Sequence, residues 1–166
     1  MYKKVILSLL SILLICVPGA LAKDQLACYE LDLFGYRIGM SYEEAVNIRK
    51  FQRISYSDKD AVGVVDGLKV DETDFSVKVH FKNDRIFKVV GRFDPGKVEE
   101  VTDNIKNTLG QNQDNSKITI SGTNVSILRH FCWFKPKARV DVVQLSANTH
   151  FATLSMLPNR TSWVNM

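Results

Sequence analysis

The chain has 166 residues, 22 Lys+Arg against 18 Asp+Glu, and a formal net charge of +4. Lys3 and Lys4 belong to a targeting segment, so the mature balance is +2, and a nucleic-acid partner loses most of its electrostatic support. The 144 residues that follow this segment are the size of one domain, and none of their apolar runs is long enough for a membrane-spanning helix.

Residues 1–22 read as a secretory signal. Lys3 and Lys4 supply the positive start, Val5 to Val17 an apolar run of 13 residues, and Pro18-Gly19 a break. Ala20-Leu21-Ala22 then offers the small residues that a signal peptidase reads. Cleavage is expected near Ala22, placing the mature protein in the periplasm or outside the cell. Leu13-Leu14-Ile15-Cys16 approaches a lipid-attachment motif, but the residue before a lipidated cysteine is small, and Ile15 is not. Two cysteines remain, Cys28 and Cys132. An even pair without C-x-x-C spacing, in an oxidising compartment, predicts a structural Cys28–Cys132 disulfide.

Lys23 to Leu33 is a short lead-in. Ser41-x-x-Glu44 is a capping box with Met40 and Ala45 at the staple positions, and it predicts a helix from about Ser41 to Arg53. Ile54–Tyr56 begins a strand. Val62–Val65 and Leu68–Val70 flank Asp66-Gly67, a strong hairpin signal. Phe75, Val77, Val79 and Phe81 alternate with polar residues, so one face of that strand is buried. Asn83-Asp84 turns the chain into Ile86–Phe93, with Phe87, Val89, Gly91 and Phe93 expected on one face. Asp94-Pro95-Gly96 opens a second helix whose stripe is Val98, Val101, Ile105 and Leu109, ended by Gly110. Strands are expected over Lys117–Ser121, Val125–Phe134, Arg139–Ser146 and His150–Leu157, with a loose tail over 159–166.

A helix followed by strands occurs twice, over 35–93 and 95–157, and this order suggests a structural duplication. The expected fold class is α+β: two helix-plus-antiparallel-strand units packed as a single domain over 23–158, helices on one face of an antiparallel sheet.

No motif assigns a catalytic residue, a cofactor site or a metal site. Gly91-Arg92-Phe93-Asp94-Pro95-Gly96-Lys97-Val98 is one residue short of a P-loop, but Val98 stands where Ser/Thr would hold magnesium and Asp94 where phosphate would sit. It reads as a turn and cap. His80, His130 and His150 fall on three different strands without metal-ligand spacing and read as solvated strand-face residues. A Cys132 nucleophile beside a histidine needs a free thiol, which the disulfide would remove. Phe131, Trp133 and Phe134 around Cys132 read as packing about a buried disulfide, with an exposed aromatic edge as the alternative.

The Gly35-x-x-x-Gly39-Met40-Ser41-x-Glu43-Glu44-Ala45-Val46 helix entry, followed by the Val77 to Ile86 hairpin, resembles small bacterial envelope proteins of the outer-membrane assembly lipoprotein type, the SmpA/OmlA family. The resemblance covers about residues 35–93. A doubled helix-and-hairpin unit is also similar to tandem-repeat secreted inhibitors that grip hydrolases across a concave sheet. The reading of the residues and the resemblance together lead to an exported, non-catalytic binding or assembly module of the bacterial cell envelope. Its partner would be another envelope protein, docked on a sheet face or strand edge that the helices leave uncovered. The alternatives are a secreted inhibitor or immunity-type protein that blocks an envelope hydrolase, and a small hydrolase with an unrecognised site.

Overall fold

Ser41 starts the first helix as its sequence requires. In the computed structural model, which describes residues 31–57, 60–145 and 150–159, Glu44 N–H donates to Ser41 Oγ at 3.2 Å and Ser41 N–H donates to a Glu44 carboxylate oxygen at 2.8 Å. Both halves of the capping box are therefore made, and the helix, α1, runs Tyr42–Ile48. The Glu44 carboxyl is held below the usual carboxylate range by the Ser41 backbone and hydroxyl, with Arg85 and Arg37 helping. Ser41→Ala is expected to cost about 0.5–2 kcal/mol, read as a lower urea midpoint. A carboxyl with a lowered folded-state pKa stabilises at neutral pH and stops doing so as acid protonates it. The gap between wild type and Ser41→Ala should therefore narrow in acid.

The helix is shorter than its expected end at Arg53. Arg49 is already extended (φ −158°, ψ 134°), and the chain turns so that the Phe51 ring lies over Gly63. A Cβ on Gly63 would sit 2.5 Å from that ring, so only glycine leaves room for it. Phe51 also packs edge-on to Phe81 and beside Tyr42 and Tyr36. Tertiary burial of one ring ends the helix.

The strands, in chain order, are β1 (Asp32–Leu33), β2 (Tyr36–Arg37), β3 (Arg53–Ser57), β4 (Asp60–Val70), β5 (Thr73–Lys82), β6 (Arg85–Phe93), β7 (Gln113–Asp114), β8 (Lys117–Ser121), β9 (Asn124–Phe134), β10 (Ala138–Leu145) and β11 (Ala152–Pro158). The second helix, α2, spans Val98–Leu109 after a single 3₁₀ turn at Pro95–Lys97. β1 and β2 form a small hairpin, and all the others join one antiparallel sheet in the order β3-β4-β5-β6-β11-β10-β9-β7, with β8 also on β9. β7 and β8 keep one register along β9, Gln113 opposite Cys132 and Lys117 opposite Leu128, so they act as one interrupted edge strand.

This architecture corrects the expected fold class. The chain is mostly one antiparallel sheet with two short helices, not a pair of helix-plus-strand units. The physical reason lies in the last strand. β11 pairs with β10 on one side and with β6 on the other, matching Ala152 to Phe93, Leu154 to Gly91 and Met156 to Val89. The edges that two separate units would leave unpaired are joined to each other, and a single ladder results.

Two local expectations also change. Asp66-Gly67 does not turn the chain; it is a bulge inside β4, where the register against β5 shifts between Val65 and Leu68 and Gly67 has φ +68°. Asp66 is occupied there by the Ser76 hydroxyl, and the turn falls instead at Asp71-Glu72. In β6 a shift opposite His80/Phe81 makes Ile86, not Phe87, the buried partner, and Phe87 faces the His80 ring on the opposite side. The Asn83-Asp84 turn forms as expected, both residues at positive φ as a type I′ hairpin needs.

The core lies on one face of the sheet. Phe75, Val77, Val79 and Phe81 are all buried there, with Val140, Val142 and Trp133 from the later strands. Phe34, in the β1–β2 turn, packs on Phe75 and fills the place where Gly91 lacks a Cβ. α1 contributes Ala45 and the Tyr42 ring against Phe81, and α2 contributes Val98 and Val101. The helices cover this core face. The opposite, outer face carries Lys78, His80 and Arg92 from the first strands and, further along, His130, Cys132, Arg139 and Asp141. The signal segment 1–22, Cys28 and the tail beyond Asn159 lie outside the described residues; Asn159 itself donates to the Lys135 and Lys137 carbonyls.

Candidate functional site

Two features of the sheet are not explained by core packing. The first is a polar cluster buried on the outer face. On β9, His130 and Cys132 are two residues apart and project to the same side. On β10, Asp141 stands directly opposite Cys132, with Arg139 two residues before it on the same side. Asn115, next to β7, joins from the other flank because its N–H donates to the His130 carbonyl in the same register. Two adjacent strands and their edge neighbour therefore bring five polar side chains to one spot.

The geometry is tight. Cys132 Sγ donates to Asp141 Oδ1 at 3.1 Å, His130 Nε2 lies 2.9 Å from that same oxygen, and Nε2 and Sγ are 3.0 Å apart. Arg139 Nε donates to Asp141 Oδ2 at 2.8 Å, and Asn115 Nδ2 donates to Cys132 Sγ at 3.4 Å. Asp141 is the one buried charged side chain among the described residues, and Cys132 beside it is 2% exposed. A buried carboxylate needs partners to offset its lost hydration, and here it has a guanidinium, a thiol and an imidazole.

Electrostatics decide what this cluster does not do. The Cys132 thiol is pushed up to about 11, first by burial and then by its hydrogen bond to Asp141; Asn115 and Arg139 pull the other way. A nucleophilic cysteine needs its pKa lowered. Asp141 also contacts the imidazole nitrogen that faces the thiol, rather than the far nitrogen, so no carboxylate–imidazole–thiol relay is formed. The thiol is a protonated donor at neutral pH. His130, Cys132 and Asp141 are the described residues whose donor atoms lie close enough together to hold a metal ion.

The expected site residues fall out as follows. Cys28 lies outside the described residues, and Cys132 is a free thiol here. The three histidines do not converge. β5 and β9 are four strand positions apart, about 19 Å at strand spacing, so His80 is remote from His130. His80 is half-buried, and burial lowers its pKa, helped by Lys88 and Lys78; His150 is exposed. The P-loop-like turn is closed by its own carboxylate, since Gly96 N–H donates to Asp94 Oδ1 at 2.7 Å. The aromatic cluster divides. Trp133 is core and its Nε1–H donates to the Gly110 carbonyl, whereas Phe134 is on the outer face and 47% exposed. Sequence reasoning missed Asp141, Arg139 and Asn115. Their only signal was Asp141 and Arg139 standing two apart on a strand, which carries no weight until the register places them beside Cys132.

The second feature is the far end of the sheet. Ile118 and Ile120 on β8 pair across with Ile127 and Val125 on β9, and all four project to the same side. They are 70%, 71%, 43% and 59% exposed, respectively. Among the described residues β8 has a strand partner on one side only. No family model, curated protein or solved structure matches the chain, and among the described residues no helix is long and apolar enough to cross a membrane.

Proposed function

We propose that the chain is an exported, non-catalytic binding or assembly module of the bacterial cell envelope, and that β8 with the β8–β9 hairpin is its docking edge. The observation that carries this reading is the uncovered quartet Ile118, Ile120, Val125 and Ile127 beside an edge strand. Natural edge strands are protected by charge, proline or a bulge. Within β8 only Lys117, at its first position, is charged, while the middle alternates Ile118-Thr119-Ile120. That pattern suits one occupant, an extended segment of another envelope protein that adds a strand to β8 and lays alternate apolar side chains along the isoleucines. Backbone pairing would supply affinity and the isoleucine row register. The export signal read in residues 1–22 and the resemblance of residues 35–93 to outer-membrane assembly lipoproteins support the cellular setting.

A photo-crosslinking residue at Ile118 is expected to capture one envelope protein in cells, while the same residue at Lys106, exposed on α2, captures none. Ile120→Asp should abolish the crosslink and leave the urea midpoint nearly unchanged, because exposed positions cost within about 0.5 kcal/mol. Equal capture from both positions, or none from Ile118, would reject the docking edge. Capture of a single hydrolase whose activity falls on binding would replace the assembly reading with the inhibitor reading.

A further inference from the structure

We infer that Cys132, His130 and Asp141 form a binding site for a zinc-type cation, independent of the docking edge. Sγ, Nε2 and Oδ1 make a nearly equilateral triangle with sides of 2.9, 3.0 and 3.1 Å. A tetrahedral ion with ordinary zinc bond lengths holds such donors roughly 3.3–3.6 Å apart. The triangle therefore has to open by only a few tenths of an ångström, well within side-chain rotation. The donor set is one sulfur, one nitrogen and one oxygen. Thiolate and imidazole suit zinc and poorly suit calcium or magnesium, which take oxygen ligands. Three protein donors leave the fourth position for water or an outside ligand.

The surroundings are those of a prepared site. Asp141 and Cys132 are paired residues of adjacent strands, so backbone hydrogen bonds hold their separation. Arg139 Nε grips Asp141 Oδ2 and turns Oδ1 toward the thiol. Asn115 Nδ2 points at Sγ, where it can donate to a thiolate once the proton has gone. Such outer contacts orient metal ligands and are commonly needed for affinity. Asp141 and Cys132 are both buried, on the face opposite the main core, and a cation bound between them would neutralise the carboxylate and a thiolate together.

The proton balance follows from the geometry. Binding forms bonds from the metal to Sγ, Nε2 and Oδ1 and breaks two bonds, the S–H and the Nε2–H that points at Asp141. The thiol proton leaves to solvent, and the ring proton moves through solvent from Nε2 to Nδ1, which frees the Nε2 lone pair for the metal. About one proton should therefore be released per ion near neutral pH.

The test uses the mature chain, purified without reductant and titrated with cobalt(II), which reports on its ligands in visible and near-ultraviolet light. One equivalent is expected to bind with an intense tetrahedral spectrum and a thiolate-to-cobalt charge-transfer band. Zinc should then displace it, and one proton should be released. Cys132→Ser should lose the charge-transfer band. Failure of wild type to give the band overturns the site, and so does a band that persists in Cys132→Ser. If the serine variant does not fold, the wild-type spectrum decides alone, because weak octahedral absorption without charge transfer means surface cobalt only. A band that appears only after reduction also overturns the site, since the sulfur would then be held in a disulfide with Cys28. The docking edge stands or fails separately, by crosslinking.

Discussion

Val79→Asp is expected to yield no folded protein at neutral pH, while Lys78→Asp one residue away melts within about 0.5 kcal/mol of wild type. Val79 is fully buried in β5 and lies between Gly63 on β4 and Val89 on β6. Its face is the one the two helices cover, and the Phe81 and Phe51 rings pack on the same side of the sheet. Val77, Phe81 and Val89 beside it are buried and apolar, and desolvation of a carboxylate introduced there costs about 5 kcal/mol or more, comparable with the whole stability of a small domain. The introduced carboxyl would have its pKa raised, so acid should partly relieve the defect, which distinguishes a charge penalty from a shape penalty. Lys78 sits on the outer face and is half-buried. Soluble yield, circular dichroism and urea midpoints of the two variants read the result. Equal behaviour of both would mean that β5 presents the wrong face to the helices.

Trp133→Ala is expected to destabilise by about 3–5 kcal/mol, the cost of losing a large buried ring and leaving a cavity. Trp133 is 1% exposed, and its Nε1–H donates at 2.9 Å to the carbonyl of Gly110, the residue that caps α2 at φ +83°. Lys135 Nζ donates to the neighbouring Leu109 carbonyl. Trp133 on β9 and Lys135 just beyond the strand thereby satisfy two of the carbonyls that end α2, which the helix itself leaves without donors. Trp133→Phe keeps most of the bulk and loses only the donor, so it should cost roughly 1–3 kcal/mol. Phe134→Ala, on the exposed side of the same strand, should be nearly neutral. Urea unfolding of the three variants ranks them; a Phe134→Ala loss equal to that of Trp133→Ala would reverse the face assignment of β9.

Cap, period and turn chemistry were legible from the chain alone because they act over four residues or fewer. Ser41 and Glu44 close the capping box wherever the helix goes afterwards. Phe75 to Phe81 can bury only one side of a strand, and Asn83-Asp84 tolerates the positive φ of a tight turn. Gly110 and the Val98–Val101 stripe likewise mark α2 from within. What tertiary structure decided depends on partners far away in sequence. Phe51 ended α1 early because Gly63, on another strand, left space for its ring. Asp66-Gly67 became a bulge because Ser76 across the ladder engaged Asp66 and the turn moved to Asp71-Glu72. β11 paired with β6 and merged two expected units into one sheet, a choice between strand edges that local sequence does not encode. The polar cluster is the sharpest case. His130 and Cys132 share a face by their spacing, but Asp141, Arg139 and Asn115 reach them only through the registers of β10 and β7 on β9. Register is a property of paired strands, and a chain read one residue at a time contains it only after it has folded.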